Sequence, residues 1–182
     1  MEQLRNRRGD WMQTFTGRAV YPLDPDPADF DIVDIAHALS MACRYAGHVR
    51  RFYSVAEHCV LMARHFSAPV NRKWALLHDA SEAYLVDVPR PVKPYLAGYR
   101  EAENDLMQMI ALRFGLDGDM PAAVKSADNR ILCDERDQAM APCVRDWNLE
   151  GPRLGVTLRF WSPEEAEREF LIAYGEIFGG AP

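Results

Sequence analysis

The stretch from Lys73 to Lys93, "KWALLHDASEAYLVDVPRPVK", spaces Trp74, Leu77 and Leu85 at helical intervals. It also sets His78, Asp79 and Glu82 beside that apolar stripe. A buried carboxylate without a partner is costly, so such a group is normally paired with a cation or bound to a metal. The stretch therefore demands a helix that packs by one face and meets positive charge on it. The prolines at 89, 91 and 94 predict that this helix, capped near Asn71, stops before them.

Similar periodicity recurs along the chain. Asp31 caps a helix whose buried face is Ile32, Ile35, Leu39 and Ala42, with Gly47 after its end; His37, Met41 and Arg44 share another face of it. Ser54 and Glu57 have capping-box spacing ahead of a stripe of Val55, Cys59 and Met62 on which His58 lies. A further helix runs from about Arg100 to Phe114 with Gly115 as its stop, and another starts at Pro121, with Val124, Ala127, Asp128 and Ile131 on one face. Ser162, Pro163 and Glu165 open a last helix, over about 162–178. "GVTLRFW" reads as a short strand, and residues 1–30, with three prolines in "YPLDPDP", as an extended N-terminal arm. The expected fold is all-α: one domain over 1–182, a bundle of about six or more helices, its helical core about 32–140.

With 182 residues there is enough chain for a sizeable core. No apolar run reaches the roughly 20 residues that span a membrane, and "MEQLRNRRGDW" has no secretory apolar segment. Cys43, Cys59, Cys133 and Cys143 are scattered without a CxxC, which predicts reduced thiols and a cytoplasmic location. A net charge of −6 argues against a general grip on polynucleotides, though not against a small anion held by a few local cations.

Three helices thus each place potential metal ligands on a buried face: His58, the pair His78-Asp79, and Asp128. Imidazole and carboxylate together suit a divalent transition metal such as Co²⁺, Mn²⁺, Zn²⁺, Fe²⁺ or Ni²⁺. A lone histidine on an apolar face is ordinarily a satisfied core residue, and a lone buried aspartate a cap or ion-pair partner. On spacing alone both readings stand.

The order His58, then His78-Asp79, then Asp128 resembles the H…HD…D signature of HD-domain metal-dependent phosphohydrolases. "SVAEHC", "LLHDASEAYLVDVPRPVK" and "ADNRILCDE" are similar to the ligand-bearing segments of the small 5′-deoxynucleotidase branch. The lead-in "DIAHALSMACRYAGH" looks closer to bacterial and phage HD proteins that include dATP triphosphohydrolases. The resemblance implies that His58, His78, Asp79 and Asp128 hold the metal, and that Glu82 and Asp87 serve proton transfer. It also implies that Arg44 binds phosphate, Tyr45 borders the sugar or base, and Lys93 faces substrate. Arg90, without a basic counterpart in that branch, would suit a longer phosphate chain, and His37 would line the pocket. The expected activity is cleavage of the 5′-phosphoester of deoxynucleotides, with monophosphates as substrate. The alternatives are a triphosphohydrolase releasing tripolyphosphate, a non-catalytic nucleotide sensor, and a structural helical protein. A homodimer is expected by analogy alone.

Overall fold

Caps and breakers set the element boundaries. In the computed structural model, which describes residues 7–149 and 151–180, Asp31 accepts from the Val33 N–H and starts α1 (Ile32–Met41). Ser54 accepts from the Glu57 N–H and starts α2 (Val55–His65). Pro69 opens α3 (Pro69–Leu77), and a turn through His78–Ser81 leads into the short α4 (Glu82–Leu85). Gly98 and Gly115, both left-handed, bracket α5 (Tyr99–Phe114). Pro121 occupies the cap position of α6 (Ala122–Ala139) rather than its first turn. Ser162 caps α7 (Pro163–Phe178), which ends at left-handed Gly179. The chain is all-α, and the only sheet among the described residues is a hairpin of β1 (Met12–Gln13) and β2 (Ala19–Val20).

The central helix α2 packs against α1, α3, α6 and α7. It brings Val55, Ala56, Cys59, Val60, Met62 and Ala63 into one continuous core with Leu39, Leu76, Leu77, Leu106, Ile131 and Phe170. No helix among the described residues is long and apolar enough to cross a membrane.

Four expectations are corrected. The helix through Lys73 stops at Leu77, so His78 and Asp79 sit at a helix break rather than mid-helix. Helix α1 ends at Met41, so Arg44 lies beyond it and the face shared with His37 is broken. Residues 7–30 are no free arm; residues 1–6 lie outside the described ones. The hairpin is tied down where the Thr16 N–H and hydroxyl donate to Asp34 at 2.7 and 2.9 Å, and Val20 and Phe30 are fully buried. Finally, "GVTLRFW" forms no strand among the described residues, and Gly155 and Phe160 within it are left-handed. Its donors go to side chains instead: Gly155 N–H to Asp134 (3.0 Å), Leu158 N–H to Gln138 (3.0 Å), and those of Arg159, Phe160 and Trp161 to Glu57.

Just past α4, Val86 adopts φ 60°, ψ 158°, a region open essentially to glycine. Its N–H donates to the Glu82 carbonyl (3.0 Å) and its carbonyl accepts from the Tyr99 hydroxyl (2.9 Å), so the strained turn is fixed at both ends. The side chain is 66% exposed and contributes little packing. Relief of about 1–3 kcal/mol of strain outweighs the added chain entropy of glycine, about 0.5–1 kcal/mol. Val86→Gly is therefore expected to raise stability by about 1 kcal/mol in urea unfolding; a loss would mean that the Val86 side chain holds the turn.

Candidate metal centre

The four candidate ligands converge. His58 comes from the first turns of α2, His78 and Asp79 from the break after α3, and Asp128 from α6. The two Nε2 atoms approach to 3.3 Å. His58 Nε2 lies 3.4 Å from Asp128 Oδ1 and 3.6 Å from Asp79 Oδ2. His78 Nε2 lies 3.3 Å from Asp79 Oδ2 and 3.8 Å from Asp128 Oδ1. Donor atoms that share one tetrahedral ion at about 2.0–2.2 Å would be roughly 3.3–3.6 Å apart. His58, His78 and Asp128 are close enough to hold a metal ion.

The outer partners agree with that reading. His58 Nδ1 is 2.7 Å from Glu135 Oε1, and His78 Nδ1 is 2.9 Å from the Ala75 carbonyl. Both partners accept, so each ring carries a hydrogen on Nδ1 and faces the centre with Nε2, which is protonated without a metal and offers its lone pair to one. Carboxylates and imidazoles packed this closely require positive charge between them, as a proton or as a metal ion. Accordingly, burial opposes charging His78, but Asp79, Cys59 and Asp128 raise its pKa well above the ordinary value. Burial also opposes ionising Asp128, yet hydrogen bonds from both histidines hold it well below the usual carboxylate range.

Glu82 is 7% exposed, and its Oε2 is buried without a hydrogen-bond partner. Burial, then Asp79 and Asp87, push its pKa up to about 9. Asp87 is raised by burial against the pull of Arg44. Arg44, almost fully buried, lies 3.5 Å from Asp79 Oδ2 and 3.4 Å from Glu135 Oε2, and its Nε has no partner. It stands beside the centre with donor capacity to spare.

The other candidates divide. Arg90, with its side chain 66% exposed, lies 3.9 Å from Asp128 Oδ2 at the rim. Lys93 feels Glu82 and Asp79, but its Nζ is already paired with Glu103 at 2.7 Å. Tyr45 packs against Trp147 and donates its hydroxyl to Glu135. His37 is drawn elsewhere: it stacks on Phe15 at 3.8 Å and its Nδ1 meets Glu167 at 3.0 Å.

No model of a known protein family matches the chain. It is 40% identical over 169 residues to the uncharacterized protein YfdR of Escherichia coli (strain K12), spanning 93% of this chain and 90% of that one. It is also 40% identical over 183 residues to the uncharacterized protein RCAP_rcc00048 of Rhodobacter capsulatus, spanning 90% of this chain and 93% of that one. The chain belongs to the family of these two proteins. Because the match to each member runs nearly end to end, it takes in all the segments that build the centre.

Two neighbours of the centre were not singled out from sequence. Cys59, from the apolar stripe of α2, joins His78 and Asp79 in a second, overlapping group able to hold an ion. Burial pushes its thiol up to about 11 against the influence of His78. Glu135 is fully buried on α6, and burial notwithstanding, Arg44 and His58 hold it down to about 2. Its signal was available: Glu135 stands seven residues after Asp128, two turns along the same helix face.

Proposed function

We propose that the chain is a metal-dependent phosphohydrolase of the HD-domain type, cleaving the 5′-phosphoester of deoxynucleotides and acting on deoxynucleoside monophosphates. The observation that carries this reading is the meeting of His58, His78, Asp79 and Asp128 from three separate segments with a buried, under-used Arg44 beside them. A divalent transition metal held there supplies Lewis acidity and an acidified bound water.

The chain's own groups supply the rest. Arg44 offers its unpartnered Nε and its loosely engaged Nη atoms to a phosphate oxygen, the planar fork that suits such an anion. Glu82, protonated near neutral pH in its buried setting, holds a proton that can pass from its carboxyl to a leaving ester oxygen. Asp87 adds a second acceptor on that side. Tyr45, its ring 5.5 Å from the Arg44 guanidinium, would border the sugar or base.

Arg90 supports a second reading. A solvent-facing guanidinium at the rim beside Asp128 can receive phosphates beyond the first, which favours a triphosphohydrolase releasing tripolyphosphate. One panel separates these activities. The protein is incubated with Co²⁺, Mn²⁺ or Zn²⁺ and with ribo- and deoxynucleoside mono- and triphosphates, and the products are resolved by chromatography. Phosphate and nucleoside from deoxynucleoside monophosphates are expected; tripolyphosphate from triphosphates would select the second reading, and no turnover would remove both. In whichever reaction appears, Glu82→Gln is expected to lower kcat by about 10²–10⁴-fold with metal content unchanged. An unaffected kcat would take proton transfer away from Glu82.

A further inference from the structure

We infer that Glu135 is a positioning residue that fixes which nitrogen of His58 faces the metal and, with the same carboxylate, holds the Arg44–Tyr45 turn at the anion side of the site. The first half needs only the metal centre; the second rests on the phosphohydrolase reading above.

Glu135 is fully buried, and each of its oxygens takes two donors. Oε1 accepts from His58 Nδ1 at 2.7 Å and from the Tyr53 hydroxyl at 2.9 Å. Oε2 accepts from the Tyr45 hydroxyl and faces Arg44 Nη2 at 3.4 Å. A carboxylate has no hydrogen to give when ionised, so His58 must carry its hydrogen on Nδ1 and present Nε2 as a ligand. Outer partners of this kind typically change metal affinity by about 10–100-fold.

The other oxygen anchors a strained piece of backbone. Tyr45 and Ala46 both lie in the left-handed region, at φ 56° and 51°. Each such residue costs on the order of 1–3 kcal/mol and persists only where its surroundings hold it. The Arg44 N–H donates to the Tyr53 carbonyl (2.9 Å) and the His48 N–H to the Tyr45 carbonyl (3.0 Å), which fix the two ends of the turn. Glu135 fixes its side chains. It thereby joins a metal ligand on α2 to the guanidinium that would meet phosphate, through one group on α6.

Glu135→Gln tests this, because glutamine keeps the shape but offers one oxygen to four donors. Zinc affinity, measured by competition with a chromophoric chelator, is expected to fall about 10–100-fold while the helical circular dichroism stays unchanged. In the Zn²⁺-loaded wild-type protein, long-range ¹H–¹⁵N correlation is expected to show His58 protonated on Nδ1 and bound through Nε2. Tyr45→Phe, which touches only the Oε2 side, is expected to keep wild-type zinc affinity and to weaken inorganic phosphate binding to the Zn²⁺-loaded protein several-fold. Wild-type zinc affinity in Glu135→Gln, or His58 bound through Nδ1, would overturn the first half; Tyr45→Phe with unaltered phosphate binding would overturn the second. Should Glu135→Gln not fold, the wild-type tautomer and Tyr45→Phe decide the two halves. None of these readouts requires turnover, so a failed nucleotide panel leaves the zinc result standing, and a failed zinc result leaves the panel standing.

Discussion

Replacing Asp79 with alanine is expected to remove bound metal and abolish turnover while leaving the helices formed. Asp79 Oδ2 lies within 3.3–3.6 Å of His78 Nε2, His58 Nε2 and Arg44 Nη1, so one oxygen serves both the centre and its neighbouring cation. Without it, the remaining carboxylate of the set is Asp128, and the negative charge that would balance a divalent ion is halved. Arg44 keeps Glu135, so the guanidinium is not left buried and unpaired, and the core of α1, α2 and α3 is untouched. Turnover should fall by at least about 10³-fold, the scale of losing the transition-state charge that a catalytic metal provides. Elemental analysis of the purified variant reads the metal directly. Thermal melts give an independent check: added Zn²⁺ should raise the Tm of the wild type and leave the variant's Tm in place, because a ligand that binds only the folded state stabilises it. Stoichiometric metal in Asp79→Ala would sink the ligand assignment, and with it the proposed chemistry.

Helical periodicity placed His58 and Asp128 on inward faces, and the structure brings both to the centre. It placed His78 and Asp79 inward too, but inside a continuous helix. α3 in fact ends at Leu77, and His78 and Asp79 lie in the turn that follows, where the Ala80 and Glu82 N–H groups donate to the carbonyls three residues before them. Spacing puts Glu135 on the helix face of Asp128, but its role as a hub was hidden for a different reason. Its partner His58 is 77 residues away in sequence, and nothing in local spacing announces a pairing of that range. Likewise, the spacing of Ser54 and Glu57 predicts a capping box, and only half of it forms. Ser54 accepts from the Glu57 N–H, while the Glu57 carboxylate reaches a segment more than 100 residues on. "GVTLRFW" reads as a short strand, but no strand forms there among the described residues; side chains of α2 and α6 take its backbone N–H groups instead. His37 and Arg44 do not share a helix face, because α1 ends at Met41, before Arg44.

The largest structural effect is expected at Glu57. Its side chain is fully buried, and it accepts from three successive backbone N–H groups: Arg159 at 2.6 Å and Phe160 at 3.0 Å on Oε1, Trp161 at 2.8 Å on Oε2. Left-handed Phe160 (φ 55°) curls the backbone so that these donors face one point, an anion-binding concavity filled by the chain's own carboxylate. Hydrogen bonds to a charged acceptor are worth about 1.5–3 kcal/mol each, and buried donors left without one cost about 1–3 kcal/mol each. The sum is an upper bound, because Arg159 is exposed and water can reach part of the segment. Glu57→Ala is therefore expected to cost about 3–5 kcal/mol in urea unfolding, and Glu57→Gln, which keeps one accepting oxygen, less. The consequence extends past the loop. Residues 159–161 lead directly into α7, which packs on α1, α2 and α3, so freeing them loosens the anchor of a whole helix. The metal centre should nonetheless load normally, because Glu135 and not Glu57 orients His58. A Glu57→Ala protein of wild-type stability would mean that Asp134 and Gln138 alone pin the segment; one that also lost zinc would mean that the two adjacent residues of α2 serve a single purpose rather than two.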